Sequence, residues 1–149
     1  GWEFEPEDAG NRLPAAIGYG KGVPMGGDLS AALAGKSPTF LVAALKDPIG
    51  ANLDRIQVVK GGGDAKGEVQ EKVYDVAWSG DRKPDPKTGK VPTVGSTVDL
   101  ENATWTNSIG APELIAVWKD PAFDNKPLPG TRMTITERGY TSPIWYSPN

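Results

Sequence analysis

The segment Gly18-Tyr19-Gly20-Lys21-Gly22 has the composition of a phosphate-binding loop. Glycines let backbone N–H groups approach an anion closely, and Lys21 would add positive charge beside it. A nucleotide-binding loop of this kind follows a β-strand and opens a helix. The sequence indicates neither element around residues 18–22. It therefore favours a structured loop whose glycines adopt positive φ, with no cofactor bound.

A second group of candidates consists of acidic side chains in the middle of the chain: Asp64, Glu68, Asp81 and Asp85. A calcium ion takes about six to eight oxygen ligands. The run Asp81-Arg82-Lys83-Pro84-Asp85 matches no calcium-binding loop, and two cations lie between its carboxylates. We interpret this stretch as a solvated loop. A pair of acids for glycoside hydrolysis cannot be chosen without knowing which carboxylates face each other across a cleft.

Tryptophan side chains could form a platform on which sugar rings stack. Four of the five tryptophans lie in predicted strands beside apolar neighbours, and we expect them in the core: Trp78, Trp105, Trp118 and Trp145. Trp2 lies outside every predicted strand. It is therefore the aromatic candidate for ligand binding.

The sequence contains neither histidine nor cysteine. This excludes Ser-His-Asp catalysis, histidine-based metal sites, thiolate nucleophiles and disulfides. A formal net charge of −3, with scattered Lys and Arg residues, argues against a nucleic-acid partner. No stretch approaches the roughly 20 apolar residues of a membrane span. We expect no catalytic residue, no metal site and no enzymatic activity in this chain alone.

The elements that position these residues are predicted to be short strands, because 19 Gly and 14 Pro residues are spread along the chain. Seven segments have strand patterns: residues 39–46, 52–60, 71–79, 97–106, 113–119, 132–138 and 142–146. The first is apolar on both faces, which is typical of a central strand. The second and third form a predicted hairpin around the glycine-rich residues 61–67.

The third segment shows the period-2 alternation of a half-buried strand. Tyr74, Val76 and Trp78 fall on one face, and Asp75 and Ser79 fall on the other. The proline-bearing residues 80–95 form a polar loop long enough to project from the body.

The first 37 residues read as irregular, apart from a short helix over residues 29–34 with Asp28 as its N-cap. The whole pattern predicts a mainly β fold, an antiparallel sandwich of immunoglobulin-like type. Residues 1–149 would form one domain or domain fragment.

Several long blocks of the sequence are similar to a known family: GYGKGVPMGGDL, PTFLVAALKDP, NLDRIQVVKG, EKVYDVAWS, ATWTNSIGAPELIAVWKDPAFD and TITERGYTSPIWY. They resemble the C-terminal part of a large bacterial family of unknown function that looks related to metallo-phosphoesterases of the polymerase-and-histidinol-phosphatase (PHP) type. The resemblance implies an upstream α/β barrel whose metal ions are held mostly by histidines. This chain would be the β-rich extension that follows it.

The resemblance also implies binding candidates in residues 18–29 and 138–146. Lys21, Asp28 and Arg138 are the side chains there best able to bind an anion or brace the barrel; the alternative role is stabilisation of turns and strand ends. The chain departs from the family between Asp124 and Thr131, where an aromatic-rich β segment is expected and only six residues intervene.

Three hypotheses follow for the function. The first is a non-catalytic accessory domain that packs on the catalytic barrel of a secreted or periplasmic bacterial protein. The second is a free-standing ligand-binding or adhesive module that uses Trp2. The third is a structural subunit whose open sheet edge pairs with a homo-oligomeric partner.

Overall fold

The computed structural model describes residues 1–32, 34–63, 68–121, 123, 133–137 and 144–146. The described chain is mainly β, as the sequence predicts. It contains a 3₁₀ helix (Pro6–Gly10), helix α1 (Pro14–Lys21) and strands β1 (Thr39–Leu45), β2 (Arg55–Gly63), β3 (Val69–Trp78), β4 (Glu113–Lys119), β5 (Met133–Glu137) and β6 (Ile144–Tyr146).

The strands form two antiparallel sheets. One sheet pairs β1 with β4, and the other has the order β3-β2-β5-β6. The predicted hairpin over residues 52–79 is confirmed, because β2 pairs with β3 along its length. The prediction that β1 is a central strand is not met within the described residues, where β4 is the strand that it pairs with and Gly1 bonds to Thr39 at the other edge.

The predicted strand over residues 97–106 is also wrong. Asp99 and Thr104 form an isolated β-bridge around a turn. The carboxylate of Asp99 accepts hydrogen bonds from the backbone N–H groups of Glu101 and Asn102, at 3.0 and 3.2 Å. An aspartate that accepts hydrogen bonds from the backbone N–H groups two and three residues later favours a turn over a strand. Trp105, expected in the core, is 43% exposed.

Aromatic side chains join the two sheets. The ring centroid of Trp118 in β4 lies 5.6 Å from that of Phe40 in β1 and 5.1 Å from that of Tyr74 in β3. Contacts at these distances bury large apolar areas and add a stabilisation of about 1 kcal/mol each. The adjacent strand β2 contributes Val58, which is 1% exposed.

The N-terminal segment is more regular than predicted. A proline occupies the first turn of both the 3₁₀ helix and α1, where its missing N–H group costs nothing and its fixed φ suits a helix. The helix predicted over residues 29–34 is wrong, since residues 29–32 and 34 are not helical. Six residues are too few for a helix without tertiary support.

Candidate functional site

Lys21, at the C-terminal end of α1, is paired with a carboxylate. Its Nζ donates to both oxygens of Asp8, at 2.9 and 2.7 Å. The hydrogen bond from Lys21 lowers the pKa of Asp8, and a second one from the backbone N–H of Glu5 acts in the same direction. Lys21 therefore braces α1 against the 3₁₀ helix, as in the alternative role considered for it.

The glycines of residues 18–22 do not form a loop with positive φ, so that prediction is wrong. Gly18 and Gly20 lie within α1. Gly22 is required for packing, since a Cβ atom there would lie 2.8 Å from Cζ of Phe4. Phe4 is buried. The glycine-rich pattern thus serves the close approach of backbone and ring.

Of the other three binding candidates, the structure describes Trp2 and Asp28. Trp2 is only 8% exposed, its ring meets Phe123 edge-on at 5.8 Å, and its Nε1 donates to Oγ of Ser30 at 3.3 Å. It is a core residue and offers little area for stacking a ligand. Asp28 is exposed and caps no helix. Arg138 and residues 124–132 lie outside the described residues.

An apolar cavity of about 560 Å³ lies between α1 and β1. Phe4, Tyr19, Val23, Met25 and Leu41 line it, together with other residues of α1 and β1. Tyr19 is 72% exposed and Met25 is 41% exposed. The cavity is therefore open on the side of α1 that faces solvent.

A buried carboxylate at the open end of the β2–β3 hairpin was missed by sequence reasoning. The side chain of Asp75 is 1% exposed, although its strand pattern placed it on the polar face. Burial would raise the pKa of Asp75, but hydrogen bonds from the backbone N–H of Val91 and from Gln57, with the charge of Arg55, outweigh that effect and lower it. Its partner Gln57 lies opposite it in the β2–β3 ladder, and this register is not determined by the period-2 pattern of either strand.

Arginine side chains attach residues 80–95 to this hairpin. Arg55 donates to Asp75 at 3.0 Å and to the carbonyl oxygens of Val91 and Pro92. Arg82 donates to the carboxylate of Asp54 and to the carbonyl oxygen of Pro92. The loop is thus fixed to the hairpin at Arg82, Val91 and Pro92, whereas residues 83–90 between them are exposed.

Two further carboxylates are also engaged. Oδ2 of Asp120 lies 2.7 Å from Nζ of Lys60. Oδ1 of Asp85, proposed above as part of a solvated loop, accepts hydrogen bonds from the backbone N–H groups of Lys87 and Thr88, and these lower its pKa. Among the described residues, no three acidic side chains lie close enough together to hold a metal ion.

No helix in the described ranges is long and apolar enough to cross a membrane. The described chain is thus a small antiparallel β domain whose most buried carboxylates are paired with Lys and Arg side chains. It belongs to the DUF3604 family, described as a protein of unknown function, whose family model matches residues 1–128. Searches of curated proteins and of solved structures found no match.

Proposed function

We propose that this chain is a non-catalytic accessory β domain of a longer protein related to PHP-type phosphoesterases. The observation that carries the proposal is the pairing of the three most buried carboxylates among the described residues. Asp8 is bound to Lys21, Asp75 to Arg55 and Asp120 to Lys60. These groups brace the fold, and the metal ligands and proton donors would come from another domain.

Asp75 illustrates why these carboxylates suit bracing better than catalysis. A general acid near neutral pH needs a raised pKa and a position within reach of a substrate. The pKa of Asp75 is lowered, and its two oxygens accept from Gln57, Arg55 and the backbone N–H of Val91. A carboxylate held in this way stays ionised and has no position open to a substrate.

The resemblance to the C-terminal part of PHP-related proteins supports the choice of partner. A catalytic barrel would supply the histidines that this sequence lacks. The same resemblance favours a bacterial protein located in the periplasm or outside the cell. The domain would contribute packing and one wall of a cleft.

The proposal is tested with the purified chain and two substrates, p-nitrophenyl phosphate and bis-p-nitrophenyl phosphate, in the presence of Mn²⁺ or Zn²⁺. We expect no turnover above the rate in buffer with the same metal. Turnover that survives further purification and is abolished by Asp75→Asn, in a variant shown to be folded by circular dichroism, would refute the non-catalytic role.

A further inference from the structure

Strand β1 is hydrogen-bonded to β4 along one edge only. The backbone N–H and C=O groups of its even-numbered residues point to β4. The bonds that flank the strand show this: the backbone N–H of Lys46 donates to the carbonyl oxygen of Pro112 at 2.9 Å, and that of Asp120 donates to the carbonyl oxygen of Pro38 at 3.0 Å. The backbone groups of Leu41 and Ala43 therefore point to the opposite edge. Within the described residues, no hydrogen bond is made to them there.

Gly1 already occupies the first position along that edge. Its nitrogen donates to the carbonyl oxygen of Thr39 at 3.0 Å, and Thr39 donates back to the carbonyl oxygen of Gly1 at 2.8 Å. This reciprocal pair of bonds is the closely spaced pair of an antiparallel ladder. A polypeptide that continues on the amino side of Gly1 would therefore run antiparallel to β1, with its second residue opposite Leu41 and its fourth opposite Ala43.

The position of the Gly1 nitrogen suits such a continuation. It is a buried donor to the carbonyl oxygen of Thr39, and a peptide N–H in the same place would make this bond without a charge to desolvate.

The apolar cavity extends along the same stretch of β1, and residues 39–43 contribute to its lining. Directly opposed residues of an antiparallel pair share a face. The second upstream side chain would thus lie on the face of Leu41, whose Cδ2 is 3.9 Å from the position of a Cβ on Gly18.

We propose that the free edge of β1 binds the segment of the parent polypeptide immediately upstream of Gly1 as an added antiparallel strand. This rests on the proposed function, because it requires the chain to be one domain of a longer protein. The segment that joins the two domains would then form part of this sheet, and its strand pairing would set the position of the accessory domain against its partner.

The test compares the chain beginning at Gly1 with the same chain carrying an upstream Ser-Thr-Val-Thr-Val-Ser extension. Amide hydrogen exchange is measured residue by residue by NMR. Each new hydrogen bond contributes about 0.5–1.5 kcal/mol, so exchange at Leu41 and Ala43 should slow by about two- to tenfold in the extended chain. The amide of Val42, which faces β4, should change little and serves as the internal reference.

Two proline-bearing extensions provide the matched control. Proline at the second and fourth upstream positions removes the N–H groups that would bond to β1, whereas proline at the first and third removes N–H groups that point away from it. Protection should be lost in the first variant and kept in the second. Unchanged exchange at Leu41 and Ala43 in the extended chain, or equal protection in both proline variants, would overturn the proposal.

Analytical ultracentrifugation tests whether a second copy of the chain, rather than the upstream segment, occupies this edge. Protection that appears only as the chain dimerises would assign the edge to a second copy and would also overturn the proposal. Phosphoesterase turnover by the chain would remove the proposed accessory function without changing these exchange rates. The two failures are therefore distinguishable.

Discussion

Nζ of Lys60 in β2 lies 2.7 Å from Oδ2 of Asp120, which directly follows β4. The bond joins the two sheets, since β2 and β4 belong to different ones. Asp120 is 1% exposed. In the β2–β3 ladder Lys60 lies opposite Lys72. The two cations have different partners: Lys60 binds Asp120, and Nζ of Lys72 lies 5.0 Å from the ring centroid of Tyr74.

Replacing Lys60 tests the value of this pair. Lys60→Met should lower the free energy of unfolding by about 3 kcal/mol, because it removes a cation from a buried carboxylate. Urea denaturation measures the change. Lys72→Met is the matched control on the facing strand and should cost less than about 1 kcal/mol, the value of an exposed cation–π contact. Equal effects of the two variants would contradict a special role for the Lys60–Asp120 pair.

Asp75 should control part of the acid sensitivity of the fold. Its hydrogen bonds hold the pKa in the folded protein below the ordinary value of about 3.9. The stability it contributes is therefore complete above that value and is lost as the pH falls through the folded pKa. Asp75→Asn should lower the unfolding free energy at pH 7 by about 2–3 kcal/mol, and the further loss of stability below about pH 4 should be shallower than in the parent chain.

Asp85→Asn is the control for this pH experiment. The pKa of Asp85 is also lowered, but its partners are backbone N–H groups of its own exposed turn. We expect a change in unfolding free energy at pH 7 below about 0.5 kcal/mol. A larger effect at Asp85 than at Asp75 would show that the hairpin network is not the main acid-labile element.

Two glycines in the same segment should respond in opposite directions to alanine. At Gly22 the new Cβ would lie 2.8 Å from Cζ of the buried Phe4, so Gly22→Ala should destabilise by about 1–3 kcal/mol through overpacking. At Gly20, inside α1, a Cβ meets no atom within 4 Å among the described residues, so Gly20→Ala should stabilise by about 0.5–1 kcal/mol. Thermal denaturation of both variants checks the pair, and changes of the same sign would contradict it.

The hydroxyl of Tyr74 is buried and has no hydrogen-bond partner in the described part of the chain. A buried polar group without a partner costs about 1–3 kcal/mol, so Tyr74→Phe should leave the stability unchanged or raise it. Tyr74→Ala removes the ring that meets Trp118 and should cost about 3–5 kcal/mol. A loss above about 1 kcal/mol on Tyr74→Phe, measured by urea denaturation, would show that the hydroxyl has a bonding role.

The strands that depend on local pattern were predictable. Residues 39–45 and 113–119 are rich in β-branched and other apolar side chains and end at Asp-Pro, and the structure has strands there. The glycine-rich residues 61–67 indicated the β2–β3 hairpin. The absence of histidine and cysteine likewise removed whole classes of chemistry without reference to any fold.

The predictions that failed depended on which segments meet. Trp2, expected outside the core, is buried, and Trp105, expected in the core, is exposed. Burial is set by packing against residues distant in sequence, such as Phe123 for Trp2. The polar pattern of residues 80–95 likewise did not indicate that Arg55 and Arg82 bind the carbonyl oxygen of Pro92.

The amino-acid sequence by itself determined the type of fold and the chemistry that the chain lacks, because strand periodicity and residue inventory are local properties. Tertiary structure decided which charges are paired and which strand edge is open. Asp75 and Asp120 acquire their roles from Arg55 and Lys60, which lie 20 and 60 residues away. Such contacts depend on register and sheet order, which a period-2 pattern leaves undetermined.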